Sequence, residues 1–418
     1  MQHRQYFSMA VSTQGANDDI FAPAAIADPH AYFRRLRERD PVYRSQRHGV
    51  WILTGHYEVA EAFRDKTLSS AAAIANFRRK LESRHAGALA HAMALLDGWM
   101  LLRDEPHHAR LRNPVRRAFT PAVASGLSTR IAGRVEGLLD GLVDGADIVA
   151  DFAQPLTAGV ICDLLGVADE DTDFLRGWTR DFGKLIYGAS SHGGDYARAV
   201  ARAGDLFHDR MTPLINQRRT APRDDLISHL IRNSVAEDWS TAELLGAASM
   251  LLFAGQDTTS ALIASGTRAL LANPEALARF REEPALAETA VEELLRYDGP
   301  SKTFVRTATQ DHQRGGHAIR AGDQLWLSVL GANHDPAVFD APDELRLDRD
   351  PNPHVSFGGG PHFCLGAALA RVEARLALTR LFARFPRLAL AREDLAWSPT
   401  LVDRSLLALP VRLATGRS

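Results

Sequence analysis

Apolar residues recur at helical spacing through most of residues 104–272, with breaks near Pro121, Gly166, Gly193-Gly194 and Pro222. The longest such run, 241–272, predicts one helix about 48 Å long at 1.5 Å per residue. Thr241 through Glu243 suit its start, and Asn273-Pro274 stops it. A second helix is predicted over 284–297, ended by Asp298-Gly299-Pro300. Earlier, Tyr32, Phe33 and Leu36 after Pro29 predict a helix. Val42-Tyr43 and Val50-Trp51-Ile52-Leu53 then predict a hairpin turning near His48-Gly49. Short strands are expected over 303–330, and a charge-rich connector over 331–356, punctuated by Pro336, Pro342, Pro351 and Pro353. Residues 66–98, rich in Ala, Ser and Arg, give no clear element, and residues 1–20 are expected to be a mobile arm.

A length of 418 residues would ordinarily suggest two or three domains and is ample for a large core and a cofactor. The net charge of −2 gives no support for nucleic-acid binding. Two cysteines, Cys162 and Cys364, cannot form a disulfide framework, which fits a reducing cytoplasm. Cys162 sits in an apolar helical run and is expected in the core. The first 20 residues lack an apolar signal-type core, and no run approaches the roughly 20 apolar residues that span a bilayer.

One stretch departs from this pattern: Phe357-Gly358-Gly359-Gly360-Pro361-His362-Phe363-Cys364-Leu365-Gly366. Three glycines and a proline exclude a helix interior, whereas Leu365, Leu369, Val372 and Leu376 resume helical spacing. Cys364 therefore stands where a glycine loop meets a helix, and the helix dipole there favours a thiolate. The glycines are expected to let the backbone approach a planar ligand. A second anomaly, Ala254-Gly255-Gln256-Asp257-Thr258-Thr259, lies in the middle of the long helix. Glycine costs about 1 kcal/mol there relative to alanine, and threonine hydroxyls can bond back to carbonyls one turn earlier. Such misfits mark functional sites. Glu293 and Arg296, three apart, share a helix face, as do His108 and Arg112, four apart.

The cysteine loop closely resembles that of the cytochrome P450 family, soluble bacterial type, and the other motifs follow in that family's order over roughly residues 28–415. The resemblance implies a mainly α fold with small β-sheets, a triangular helical prism around a buried haem b. Cys364 would be the iron ligand, with Phe357 beside its sulfur. Asp257 and Thr258 would deliver protons to oxygen, while Ala254 and Gly255 leave room for O2 and substrate; Thr259 is given no chemical role. His108, Arg112, Arg306 and His362 would hold the haem carboxylates, although the family's Asp-Pro-Pro reads Asp104-Glu105-Pro106 here. Glu293, Arg296 and Arg349 would lock the connector, braced by His354. If these motifs meet at one haem, residues 21–418 form a single domain.

The implied activity is monooxygenation, hydroxylation or epoxidation of an apolar small molecule, in secondary metabolism. Oxidative coupling or desaturation at the same centre, or a haem-binding module without turnover, are the alternatives. Hydrolysis by Cys364 lacks an adjacent base. No dinucleotide fingerprint or P-loop accompanies these motifs, so electrons are expected from a separate ferredoxin and ferredoxin reductase. Arg110, Arg116, Arg117, Arg371 and Arg375 are candidates for its docking patch. Substrate lining is expected from 70–98, 170–195, Ala254, Thr303–Val305 and Leu401-Val402. Lys302, where apolar residues are usual, either meets a substrate carboxylate or snorkels to solvent. A cytoplasmic monomer, binding neither nucleic acid nor membrane, completes the expectation.

Overall fold

The computed structural model describes residues 18–72, 75, 87–168, 172–188 and 195–413. The expected mobile arm therefore lies almost wholly outside the described residues, as do the break at Gly193-Gly194 and much of 70–98. The helices are α1 (Pro23–Ala27), α2 (Pro29–Arg39), α3 (His56–Ala62), α4 (Ala90–Asp97), α5 (His107–Ala118), α6 (Pro121–Gly126), α7 (Ser128–Gly141) and α8 (Gln154–Leu165). They continue with α9 (Thr172–Gly188), α10 (Asp195–Thr220), α11 (Leu226–Asn233), α12 (Thr241–Ala272), α13 (Pro274–Glu282), α14 (Ala287–Asp298), α15 (Val329–Asn333) and α16 (Ala367–Arg384).

The chain is organised around α12, whose bounds match the sequence expectation. Ser240 caps it: its hydroxyl accepts from Glu243 N–H while the Glu243 carboxylate accepts from Ser240 N–H, which satisfies two otherwise orphaned donors. Of its 32 residues 22 are buried, so α12 is a core helix wrapped on all sides, chiefly by α4, α8, α14 and α16. The stretch Ile148–Leu165, a π-helical turn leading into α8, is apolar and long enough to cross a membrane, yet 72% of it is buried in this helical core. Cys162 is fully buried there, as expected. Gly166 ends α8 in the left-handed conformation, φ +73°, which glycine adopts at no steric cost.

Beside the helices lies a five-stranded sheet in the order β1-β2-β7-β4-β3, from β1 (Val42–Ser45), β2 (Val50–Leu53), β3 (Leu68–Ser69), β4 (Thr303–Ala308) and β7 (Gln324–Ser328). The predicted hairpin pairs Val42 with Leu53 and Ser45 with Val50. Strand β2 runs parallel to β7, so the start of the chain is tied to residues nearly 300 positions later. Two small hairpins complete the strands, β5 (His312–Arg314) with β6 (His317–Ile319) and β8 (Ala389–Leu390) with β9 (Val411–Arg412).

Three boundaries differ from the sequence reading. The connector opens with a helical turn, α15, because Ser328 caps it through Gly331 N–H. Helix α14 begins at Ala287 behind a 3-10 turn, Pro284–Leu286. Helix α16 begins at Ala367 rather than Leu365, because Gly366 is the capping residue.

Candidate active site

The Glu293–Arg296 pair predicted on α14 is fully buried and fixes the approach to the cysteine loop. Arg296 donates Nε to Glu293 Oε2 at 2.7 Å and Nη2 to Oε1 at 2.8 Å. Arg349 donates Nε to the same carboxylate at 3.1 and 3.2 Å, and Asn352 Nδ2 adds a bond at 3.2 Å. The remaining guanidinium protons reach connector carbonyls: Arg296 those of Asn333, Pro342 and Glu344, and Arg349 those of Asp340 and Ala341. A long irregular segment needs such partners for its backbone. Next to it, Arg371 on α16 grips Glu292 at 2.6 and 2.7 Å, and His354 Nε2 lies 3.1 Å from the same carboxylate. Burial opposes ionisation of Glu292, but Arg371 and His354 prevail and hold its pKa at about 2.

From this anchor the chain enters the glycine loop. Gly360 has φ +60°, and a β-carbon there would lie 2.4 Å from the Phe63 carbonyl oxygen at the end of α3. Packing on Phe63 thus demands glycine at position 360 and leaves little room for a β-carbon at 359, 3.1 Å from Phe63 Cβ. Gly255 has a similar reason: a β-carbon would press on Ile161 Cδ1 at 2.8 Å, where α12 and α8 approach closely.

Cys364 lies three residues before α16, its N–H donating to the Phe357 carbonyl at 2.9 Å. Its accessible surface faces an inner cavity walled by Phe357, His362, Phe363 and Gly366 on the loop side and by Ala254, Gly255, Thr258 and Thr259 on α12. Apolar residues Met100, Leu101, Ile161, Met250, Leu251, Leu262 and Phe304 fill out the wall. Burial pushes the thiol pKa up, and the Gly366 N–H, Arg112 and Arg371 only partly offset it. A metal taking the sulfur as a ligand would displace the proton.

The four predicted cations converge. The rings of His108 and His362 are 4.2 Å apart, His362 Nε2 is 3.4 Å from Ser70 Oγ, and Arg112 donates to the Phe363 carbonyl. Buried Arg306 donates Nη1 to the Val305 carbonyl at 2.9 Å. Among the described residues neither guanidinium has an ion-pair partner, and His108 Nε2 is buried without a hydrogen bond. Burial and the neighbours His108, Arg306 and Arg112 drive His362 down to about 3; burial, against the pull of Asp104, lowers Arg306 to about 10. His108 Nδ1 lies 3.1 Å from Glu105 Oε1, so the groups without an anion are the guanidiniums of half-buried Arg112 and buried Arg306. Beside a cysteine in an apolar cavity they fit a flat group that brings its own carboxylates and takes one sulfur ligand.

Residues 186–395 match the family profile described as Cytochrome P450. The chain is 36% identical to vitamin D(3) 25-hydroxylase of Pseudonocardia autotrophica over 416 residues, 97% of this chain and 99% of that protein. It is 34% identical to the polyketide biosynthesis cytochrome P450 PksS of Bacillus subtilis, over 93% of this chain and 96% of PksS. The chain is a cytochrome P450. The solved structure of PksS superposes on this P450 with a TM-score of 0.85 at 32% identity, covering 95% of the chain and all of PksS. The P450 fold, an oxygenase class and a haem-thiolate centre follow from membership of the family.

On the far side of α12 lies a second, outer cavity of about 760 Å³. It shares Thr258 and Pro300 with the inner one, and Asp257 lines the outer cavity alone. Thr258 Oγ1 bonds back to the Ala254 carbonyl at 2.7 Å, as the sequence predicted. Burial, with a contribution from Asp403, raises Asp257 to about 7.

Of the residues expected to line the substrate site, α9 borders the outer cavity and Ala254 and Phe304 the inner one, whereas Leu401 and Val402 border neither. The Val402 carbonyl accepts from Lys302 and Thr303 N–H, and Thr400, Asp403 and Ser405 line the outer cavity instead. Lys302 does not snorkel: it is 2% exposed, donates Nζ to the Thr400 carbonyl, and burial lowers its pKa to about 8. The basic patch is also mostly spent. Arg110 pairs with Glu243, Arg117 with Glu237 and Arg371 with Glu292, which leaves Arg116 and Arg375 from that set.

Sequence reasoning missed Asp403, which stands in an irregular segment without periodicity. It also missed Glu373, whose Oε2 is buried without a partner at the inner cavity. Four residues after Leu369 on the buried stripe of α16, Glu373 carried a readable signal.

Proposed function

We propose that this P450 is a haem b monooxygenase that inserts one oxygen atom into a largely apolar small molecule, by hydroxylation or epoxidation, in secondary metabolism. The observation that carries the reading is that Cys364 and Thr258, from separate elements, line one apolar cavity together with Arg112 and His362. Cys364 would hold the iron, Phe357 would pack beside the sulfur, and His108, Arg112, Arg306 and His362 would bind the haem carboxylates. Ala254 and Gly255 would face the opposite side of the group. When bound, thiolate-held haem supplies the activation of O2.

The chain's own residues handle protons and water. Asp257, poised near neutral pH, holds a proton at the outer cavity wall. The Thr258 hydroxyl, reaching both cavities, is placed to pass that proton inward. The apolar lining of the inner cavity excludes water that would intercept the reaction.

Electrons would arrive from a separate ferredoxin and its NAD(P)H-linked reductase, with Arg116 and Arg375 as docking charges. The enzyme would work as a cytoplasmic monomer whose residues 21–418 form one domain. Two relatives' names, a vitamin D(3) 25-hydroxylase and a polyketide biosynthesis P450, support an apolar small-molecule substrate of secondary metabolism. The test is the absorption spectrum of the reduced, carbon-monoxide-bound protein. A strongly red-shifted Soret band that disappears in Cys364→Ser is expected; a nitrogen-ligated spectrum, or none, overturns the reading.

A further inference from the structure

The outer cavity has more charge than an apolar substrate requires. Arg176, Arg180 and Lys184 stand four apart on α9 and all line it, a ladder of positive groups spanning about 12 Å of helix. The facing walls carry Gln256, Asp257 and Ser260 from α12 and Thr400, Asp403 and Ser405 from the C-terminal segment. Cations thus occupy one wall, while the acids occupy the wall nearest the inner cavity.

Asp181 Oδ1 lies 2.7 Å from Lys184 Nζ and 3.8 Å from Arg180 Nε, but Asp181 does not line the cavity; it steadies the ladder from behind. Arg176 is steadied by the Ala150 carbonyl at 3.4 Å. The Arg180 side chain is 75% exposed, so it can meet a ligand without the cost of desolvating a buried charge. The volume of about 760 Å³ suits a small-molecule ligand, and Thr258 and Pro300 border both this space and the apolar inner cavity.

We propose that the outer cavity binds the anionic end group, a carboxylate or a phosphate, of a substrate whose apolar body extends past Thr258 into the inner cavity. The inference deepens the oxygenase reading by naming its substrate class. Arginine at two rungs favours a planar or tetrahedral oxyanion through paired N–H donors. Asp257 on α12 and Asp403 on the C-terminal segment repel that end group from their walls, so they orient the molecule with its apolar end inward. Asp257, half-protonated near neutral pH, does so only in part.

The experiment is calorimetric titration of the haem-loaded protein at low ionic strength with dodecanoate, dodecyl phosphate and neutral methyl dodecanoate. At least one anion should bind about tenfold tighter than the ester, and which one does so identifies the end group. Arg176→Gln/Arg180→Gln/Lys184→Gln should remove that advantage and leave ester affinity within about twofold, as should 0.5 M salt in the wild type. Arg180→Gln alone, at an exposed side chain, should remove part of it without endangering the fold. Equal affinity of ester and both anions, or an advantage that survives the triple substitution, overturns the proposal. The carbon-monoxide spectrum of the same preparation separates this failure from failure of the oxygenase reading.

Discussion

Replacing Asp257 by asparagine should make the protein more stable at alkaline pH and leave it unchanged in acid. In the folded chain the carboxyl titrates at about 7 instead of 3.8, because burial disfavours the carboxylate and Asp403 adds a repelling charge. Between these values the folded state binds a proton that the unfolded chain has lost, so stability falls as pH rises from about 4 to 7. Above 7 the folded protein carries a disfavoured carboxylate. A shift of about three units corresponds to about 4 kcal/mol, and solvent reaching the cavity reduces this to about 2–4 kcal/mol. For a chain of this length the gain equals roughly 2–5 °C in melting temperature. Melting curves of wild type and Asp257→Asn, matched for haem content, should coincide near pH 4, separate progressively, and hold a constant gap above pH 7. The same substitution should slow turnover by about 10²-fold or more, because an amide cannot donate the proton. Parallel melting profiles across the whole pH range would refute the reasoning. Asp403→Asn supplies the second arm: with its charge removed, the Asp257 pKa drops, and the alkaline fall of turnover begins at lower pH.

Glu293→Gln should cost about 3–5 kcal/mol, because it leaves Arg296 and Arg349 buried around a neutral amide; denaturant unfolding and haem retention check it. Lys302→Met should flatten a rise in wild-type stability expected between about pH 8 and 10.5. In that window the unfolded lysine keeps a proton that the folded one has lost, and melting temperatures across it provide the measurement. Gly360→Ala should destabilise by about 2 kcal/mol or more, since a non-glycine residue at φ +60° would also meet the Phe63 carbonyl; Gly366→Ala, which meets nothing within 4 Å, serves as the thermal-unfolding control and should differ little.

What the sequence made legible was chemistry held in short, contiguous spacing. Helix α12 was readable to its ends because Ser240, Glu243 and Asn273-Pro274 are local signals. The Glu293–Arg296 pair was readable because three residues along a helix fix a shared face. The buried state of Lys302 was not readable. It is set by the Thr400 carbonyl nearly a hundred residues later, and snorkelling is the ordinary fate of a lysine. The ion pairs within the basic patch were not readable for the same reason. Arg110 and Arg117 look alike in a string of arginines, and only the fold brings Glu243 and Glu237 to them. The packing reason for Gly360 was not readable, because Phe63 lies some 300 residues away along the chain.

Buried groups divide into those whose charge a partner holds and those that burial drives toward the neutral form. Buried Asp298 has its ionisation opposed by desolvation, yet Arg404, His30 and Arg268 together hold it below the usual carboxylate range. Glu292 behaves likewise between Arg371 and His354. In these places a partner defeats burial, and the charge fastens one element to another. Elsewhere the outcome reverses: Asp257, Glu373 and Cys364 are pushed up, and Lys302, Arg306 and His362 are pushed down, each toward its neutral form. Groups left in that condition cost stability unless something absent from the protein alone restores their charge or uses their proton. Haem carboxylates would do so for Arg306, iron for Cys364, and proton delivery for Asp257. Glu373, buried with one oxygen unpartnered, has no such counterpart among the described residues, so Glu373→Gln should keep the fold and reveal by the haem spectrum whether its proton faces the proximal sulfur.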